Sequence, residues 1–246
     1  MNQAALGIMF AVPIEADAFA RRASDVTEFE AGGIVFREGR VAGRRVAWCV
    51  AGVGREAAAR AARRLILGHR PQLVVSAGFA GGLAPDLARG SLVRAAWVTL
   101  PDRSKQLRLA RTAPANGRDL TIVTTDRVLM TPEEKADLRT VSGADAVDME
   151  TFAVAEVAAA EGLACGSLRV ISDDAGQTLP REVAVLARPQ STMRRLGAAL
   201  GAIGRRPGVA TDLWRLWEHA VVDGRTLASG LVELCGSLPG SGSVRE

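Results

Sequence analysis

The sequence predicts an α/β fold, with a mostly parallel, mixed central sheet flanked by helices in three layers. Three features predict it. Short, near-continuous apolar runs recur along the chain, as in strands covered on both faces. Helical segments alternate with them for most of the length. Neither a linker nor an internal repeat breaks the alternation, so one domain is expected over residues 1–235, with a Gly/Ser-rich flexible tail over 236–246.

The elements follow in order. Leu6 to Val12 is apolar, with no basic stretch before it and with Glu15 and Asp17 directly after it. It reads as a first buried strand rather than a signal peptide. Ile34 to Glu38 and Arg45 to Val50 read as a hairpin around the Gly43 turn. Gly52-Val53-Gly54 opens an Ala- and Arg-rich helix, Arg55 to Leu67, which Pro71 stops. Leu73 to Ala77 is a second buried strand, ending in the turn Gly78-Phe79-Ala80-Gly81-Gly82. Leu92 to Leu100 is another strand. Residues 101–119 are polar and irregular and predict a mobile loop near a site. After a strand from Leu120 to Thr125, Thr131 serves as N-cap, Pro132 as first helical residue, and Glu133 and Glu134 as first-turn acids of a helix. A helix from Thr151 to Glu161 ends at Gly162, and Cys165 to Ser172 is a strand. Two more helices are expected at about 192–203 and 207–222.

Composition narrows the function. Aromatics make up 4% of the 246 residues and Tyr is absent, which argues against a base-stacking nucleic-acid platform. The net charge of +4 is mild. Residues 181–225 hold eight Arg against four acids, which reads as a solvated helix face or as a surface for phosphate or anionic lipid. Cys49, Cys165 and Cys235 lack metal-ligand spacing and read as buried thiols. With only His69 and His219, neither a zinc site nor a Ser-His-Asp triad is expected. No run reaches the roughly 18 apolar residues of a membrane span, so the cytoplasm is the default location.

Ligands of open α/β sheets gather at the carboxyl ends of strands. Four clusters fall there: Glu15, the Gly78–Gly82 turn, Asp148-Met149-Glu150, and Asp173-Asp174. Each alone has a plain reading. The glycines suit a tight turn, Glu150 a helix-dipole acid, and Asp173 an N-cap. Their convergence points to an enzyme, because carboxylates from adjacent elements suit chemistry in which positive charge develops on a substrate.

Together these motifs resemble the nucleoside phosphorylase and nucleosidase superfamily, from the first strand to Asp174. Gly52-Val53-Gly54 before an Ala-rich helix is similar to the family's glycine turn. Ser76-Ala77-Gly78-Phe79-Ala80-Gly81-Gly82 is similar to its Gly-Ser-Ala-Gly-Gly turn. Val147-Asp148-Met149-Glu150 is similar to Val-Glu-Met-Glu, and Arg169-Val170-Ile171-Ser172-Asp173 to Arg-Ala-Ile-Ser-Asp. The resemblance implies a nucleoside phosphorylase-like fold and cleavage of a purine, expected to be adenine, from its ribose through an oxocarbenium-like transition state. It implies Asp173 as the general acid to N7 of the base, Glu150 as acceptor for the ribose hydroxyls, and Met149 beneath the ribose. It also implies that Gly78, Phe79, Val128 and Leu129 bind substrate.

The nucleophile divides the reading. Glu15 aligns with the glutamate that nucleosidases use to activate water. Phe79 stands where phosphorylases carry a small hydroxyl residue, and Ser76 where the hexameric ones carry a phosphate-binding arginine. Both argue for hydrolysis or for a different phosphate cradle, for which Arg55 and Ser76 are the candidates. The C-terminal third points the other way. Leu179-Pro180, Arg188-Pro189 and Arg205-Arg206-Pro207-Gly208 follow a pattern similar to hopanoid-associated phosphorylases, which also keep a glutamate after the first strand. The leading expectation is phosphorolysis of an adenine nucleoside, including one with an adenosyl-hopane-like 5′-substituent. The alternatives are a nucleosidase using Glu15-activated water and a non-catalytic nucleoside-binding protein. Inorganic phosphate is the only co-substrate expected, with no metal or organic cofactor and no nucleic acid. The resemblance implies a homo-oligomer. The apolar stripe of Leu213, Trp214, Leu216, Trp217, Ala220 and Val221 reads as core packing, or as a greasy channel or peripheral membrane contact.

Overall fold

The computed structural model describes residues 4–112, 119–180 and 208–238, with side chains of the last stretch from Trp217 onward. The strands are β1 (Leu6–Phe10), β2 (Ser24–Ala31), β3 (Ile34–Val41), β4 (Arg44–Val50), β5 (Leu73–Gly82), β6 (Leu92–Thr99), β7 (Gln106–Arg108), β8 (Leu120–Thr124), β9 (Ala146–Asp148) and β10 (Ala164–Asp173). The helices are α1 (Pro13–Ala20), α2 (Arg55–His69), α3 (Pro132–Ser142), α4 (Thr151–Ala160) and α5 (Gly208–Ser237).

One mixed sheet contains all ten of these strands. Its centre, β4-β1-β5-β10, is parallel. β5 also bonds β9, so that β5, β10, β6, β8 and β9 close into a ring, from which β1, β4, β3 and β2 extend. Alternation along the central strands fills two cores. Leu6, Ile8 and Phe10 of β1, with Val75 and Ala77 of β5, meet Phe19 of α1 and Leu227 and Leu231 of α5. Met9 and Val74 face the other way, toward Ala61, Ala62 and Leu65 of α2 and Val154 and Val157 of α4. The three expected layers are these two helical faces and the sheet between them.

The local signals act as their chemistry requires. Thr131 and Glu134 form a capping box at the start of α3, and Gly143 closes it at φ 67. The differences from expectation have physical causes. β2 has no apolar face to read. Its first seven residues are exposed, and it is held by antiparallel pairing to β3. The eight-residue α1 is too short to show a period but begins with Pro at its first position. The Gly78–Gly82 segment is not a turn but the second half of β5, where the strand passes from β1 to β9. The 101–119 stretch holds β7, and residues 113–118 lie outside the described residues.

The helix expected at 192–203 also lies outside them. The one expected at 207–222 is α5, which runs on through Ser237, past the expected start of the tail at 236. Among its described side chains the packed stripe is Leu227, Ala228, Leu231, Leu234 and Cys235, and Trp217 is half exposed; Leu213, Trp214 and Leu216 of the expected stripe lie outside the described side chains. Among the described residues no helix is long and apolar enough to cross a membrane. Cys49, Cys165 and Cys235 are buried free thiols, each pushed up to about 12, by burial above all.

Candidate active site

Glu15 is fixed by the way α1 starts. Pro13 turns the chain immediately after β1, and the Glu15 side chain folds back over the helix end. Its Oε2 accepts from the N–H groups of Ala11 (2.8 Å) and Val12 (3.0 Å), and its Oε1 from Phe79 N–H (2.8 Å). The carboxyl is buried, and burial raises its pKa above the ordinary glutamate value against the pull of Arg169 and the three amides. Gly78 leaves the space this arrangement needs. A Cβ there would lie 2.5 Å from Glu15 Oε1 and 2.6 Å from Arg169 Nη1.

Asp148 and Glu150 arrive from the β9–α4 junction. The Asp148 Oδ1 accepts from Thr124 Oγ1 (2.6 Å), and its Oδ2 from Thr151 N–H (3.0 Å) and Arg169 Nη2 (2.5 Å). Arg169, buried on β10, also donates to Ser76 Oγ (2.6 Å) and Thr151 Oγ1 (2.8 Å). Glu150 Oε1 accepts from Gly54 N–H (2.8 Å), which ties the Gly52–Gly54 turn to the site. Burial, and then the charge of Asp148, pushes Glu150 up to about 7 despite Arg169.

Asp173 ends β10 beside Gly81. Its Oδ2 lies 2.7 Å from Lys135 Nζ, and its Oδ1 accepts from Ser172 Oγ at 2.6 Å. Lys135, on α3, is 1% exposed and also donates to the backbone carbonyls of Asp174 (2.5 Å) and Gln177 (3.1 Å). Four buried carboxylates, those of Glu15, Asp148, Glu150 and Asp173, therefore share two buried cations, Arg169 and Lys135. The excess negative charge suits a ligand on which positive charge develops.

The structure brings most of the expected residues together. Glu15, Phe79, Val128, Leu129, Met149, Glu150 and Asp173 line one cavity of about 450 Å³, with Ile14, Trp217 and Ala220 also on its wall. Three expected residues stand elsewhere. Gly78 lies behind the wall, beneath Glu15. Ser76 is buried and taken up by Arg169 and Thr151, so its hydroxyl is not on the cavity. Arg55 lines an adjoining, more polar cavity of about 790 Å³, where its guanidinium is forked onto Asp126 (2.7 and 2.5 Å). Asp148, without a role in the sequence reading, is the anchor of Arg169. The sequence motifs give no site role to Lys135 or Arg169. A compositional signal exists for Lys135, one of two lysines among 31 basic residues.

The chain matches the family model described as "Phosphorylase superfamily" over residues 5–103 and 100–206. A 5′-methylthioadenosine/S-adenosylhomocysteine nucleosidase of Listeria monocytogenes is 26% identical over 203 residues, 70% of this chain and 87% of that protein. The nucleosidase of the same name from Actinobacillus succinogenes is 36% identical over 88 residues, which are 36% of this chain and only 38% of the relative's length. The structure is similar to that of a nucleosidase of this kind from S. pneumoniae, solved with a transition-state inhibitor. The TM-score is 0.73 at 17% identity, covering 95% of this chain and 99% of that one, and it marks a common fold. The family model spans most of the chain, and the motifs it was expected to carry converge on one cavity: the protein belongs to the phosphorylase superfamily.

Proposed function

We propose that the chain is a hydrolytic purine nucleosidase acting on adenine nucleosides that carry a 5′-substituent, the substrate class in the names of its relatives. The observation that carries this reading is Glu15. It is a buried carboxylate on the cavity wall, held by three amides and with a raised pKa, which suits a base that takes a proton from water. Glu150 accepts hydrogen bonds from the ribose hydroxyls, Met149 packs beneath the sugar, and Phe79, Val128 and Leu129 wall the pocket. Asp173 protonates the departing base at N7. Hydrolysis is favoured over the phosphorolysis expected from the sequence because the cavity's lysine and arginine, among the described residues, are already paired. Lys135 holds Asp173, and Arg127 holds Glu134 at 2.5 Å.

A second reading is phosphorolysis of an adenosine with a bulky apolar 5′-group. It draws on the apolar wall formed by Ile14, Trp217 and Ala220. Incubation with methylthioadenosine in phosphate-free buffer separates the two. Adenine and a free sugar are expected at a rate that added phosphate does not change. Release only with phosphate, giving a sugar 1-phosphate, would establish the second reading instead.

Glu150 must be ionised to accept two hydroxyl donors. With its pKa at about 7, kcat/KM is expected to rise with pH through about 7 and then level off. Glu150→Gln should remove that acid limb along with most of the activity. A limb unchanged in the variant would assign it to another group. The same shift has a cost in stability. A carboxyl whose folded pKa is raised is no burden below its ordinary value of 4.5, and stability falls as pH rises from there through about 7.

A further inference from the structure

Lys135 is a buried cation with no part in the roles above. A lysine ammonium has three N–H donors, and a neutral amine has two. Around Lys135 Nζ stand three acceptors: Asp173 Oδ2 at 2.7 Å, Asp174 O at 2.5 Å and Gln177 O at 3.1 Å. The pocket is thus built for the charged form. Asp173 in turn has a donor at each oxygen, Lys135 at Oδ2 and Ser172 Oγ at Oδ1. That is the pattern of a carboxylate, not of a carboxylic acid waiting with its own proton.

We propose that the acid of this site is the Lys135–Asp173 pair, with the proton stored on Lys135 until the glycosidic bond breaks. The inference rests on the nucleosidase reading and adds where the proton comes from. As the C–N bond breaks, its electron pair moves into the purine. Lys135 gives one N–H proton to the Asp173 carboxylate, and Asp173 passes a proton on to the purine nitrogen, which leaves Lys135 as the neutral amine. Water adds its hydroxide to the sugar and leaves its proton on Glu15. Proton exchange with solvent then restores the ammonium and the Glu15 base, so one water is consumed and no net proton. Ser172 Oγ, which also lies 3.3 Å from Ala80 O, can turn its single hydrogen to that carbonyl while Asp173 carries the proton. Lys135 is a positioning and proton-supplying residue here, because it acts through Asp173 and does not touch the base.

The test uses two substrates, methylthioadenosine and its N7-methylated form. The second base leaves as a neutral molecule without being protonated. Wild-type protein should cleave both. Lys135→Met is expected to lower kcat on methylthioadenosine by roughly 10²-fold or more, with KM little changed. On the N7-methylated substrate it should lose less than about tenfold, since only the proton step is missing. Lys135→Gln keeps donors for the Asp174 and Gln177 carbonyls and carries the same comparison if Lys135→Met does not fold. Equal losses on both substrates in the folded variant, or no loss on either, would overturn the proposal by making Lys135 structural or idle. Failure of the wild type to release a base from either substrate would instead remove the nucleosidase reading on which it rests.

Discussion

Replacing Asp173 with asparagine is expected to lower kcat by roughly 10²- to 10⁴-fold, the usual worth of a positioned general acid, while purine binding stays close to that of the wild type. The expectation follows from what the amide keeps and loses. The amide side chain can still accept from Lys135 through its oxygen and can still donate a hydrogen bond toward the base, so the cavity wall between Gly81 and Ser172 retains its shape. It cannot hand over a proton. The purine must then leave as an anion, a far poorer leaving group beside Glu15 and Glu150. Single-turnover adenine release, read with equilibrium binding of adenine, checks both halves. A variant as fast as the wild type would take Asp173 out of the reaction. A variant that neither binds nor turns over would show that its role is to hold the pocket. The binding-protein reading of this fold predicts a third pattern, no release by either protein.

Much of this site was legible because several carboxylates converge on strand ends, although each alone has a plain structural reading. Glu15, Glu150 and Asp173 stand out beside apolar runs, and the family motifs name the same positions. What holds them was harder to see. Arg169 sits in an apolar strand, but its partners Ser76, Asp148 and Thr151 are as far as 93 positions away, so only the closed ring of strands brings them together. Lys135 follows two glutamates in the first turn of a helix, where a charge ordinarily faces water. Its burial depends on the Asp174–Gln177 backbone folding over it. The same limit explains the glycines. Gly78 to Gly82 are easily read as a turn. Their purpose here is to let β5 change partners and pass close to Glu15, Arg169 and Asp173, which is a tertiary constraint. β2 shows the opposite case, a strand made by its hairpin and invisible to any burial pattern.

Arg169→Met is expected to destabilise the fold by about 3–5 kcal/mol, the usual cost of leaving a buried ion pair with one partner. Both side chains of the Arg169–Asp148 pair are 1% exposed and their atoms are 2.5 Å apart. Methionine fills much of the volume but leaves Asp148 without its cation and takes the Arg169 donor from Ser76 and Thr151. The loss reaches further than the pair, because Arg169 also opposes the raised pKa values of Glu15 and Glu150. Without it both carboxyls hold their protons to higher pH. A group with a raised folded pKa reduces stability as pH rises from its unfolded value through the folded one, so the variant should be penalised more at pH 8 than at pH 5. Urea unfolding at the two pH values measures this, and a loss below about 1 kcal/mol at both would mean that the buried network is not what supports the site. The double variant Arg169→Met/Asp148→Leu supplies the control. Removing both charges should restore part of the stability lost with Arg169 alone, since an uncompensated carboxylate costs more than an absent pair. It should not restore activity. The acid limb carried by Glu150 depends on the charges of both Asp148 and Arg169, and shifting that limb changes which fraction of the protein can bind ribose at neutral pH.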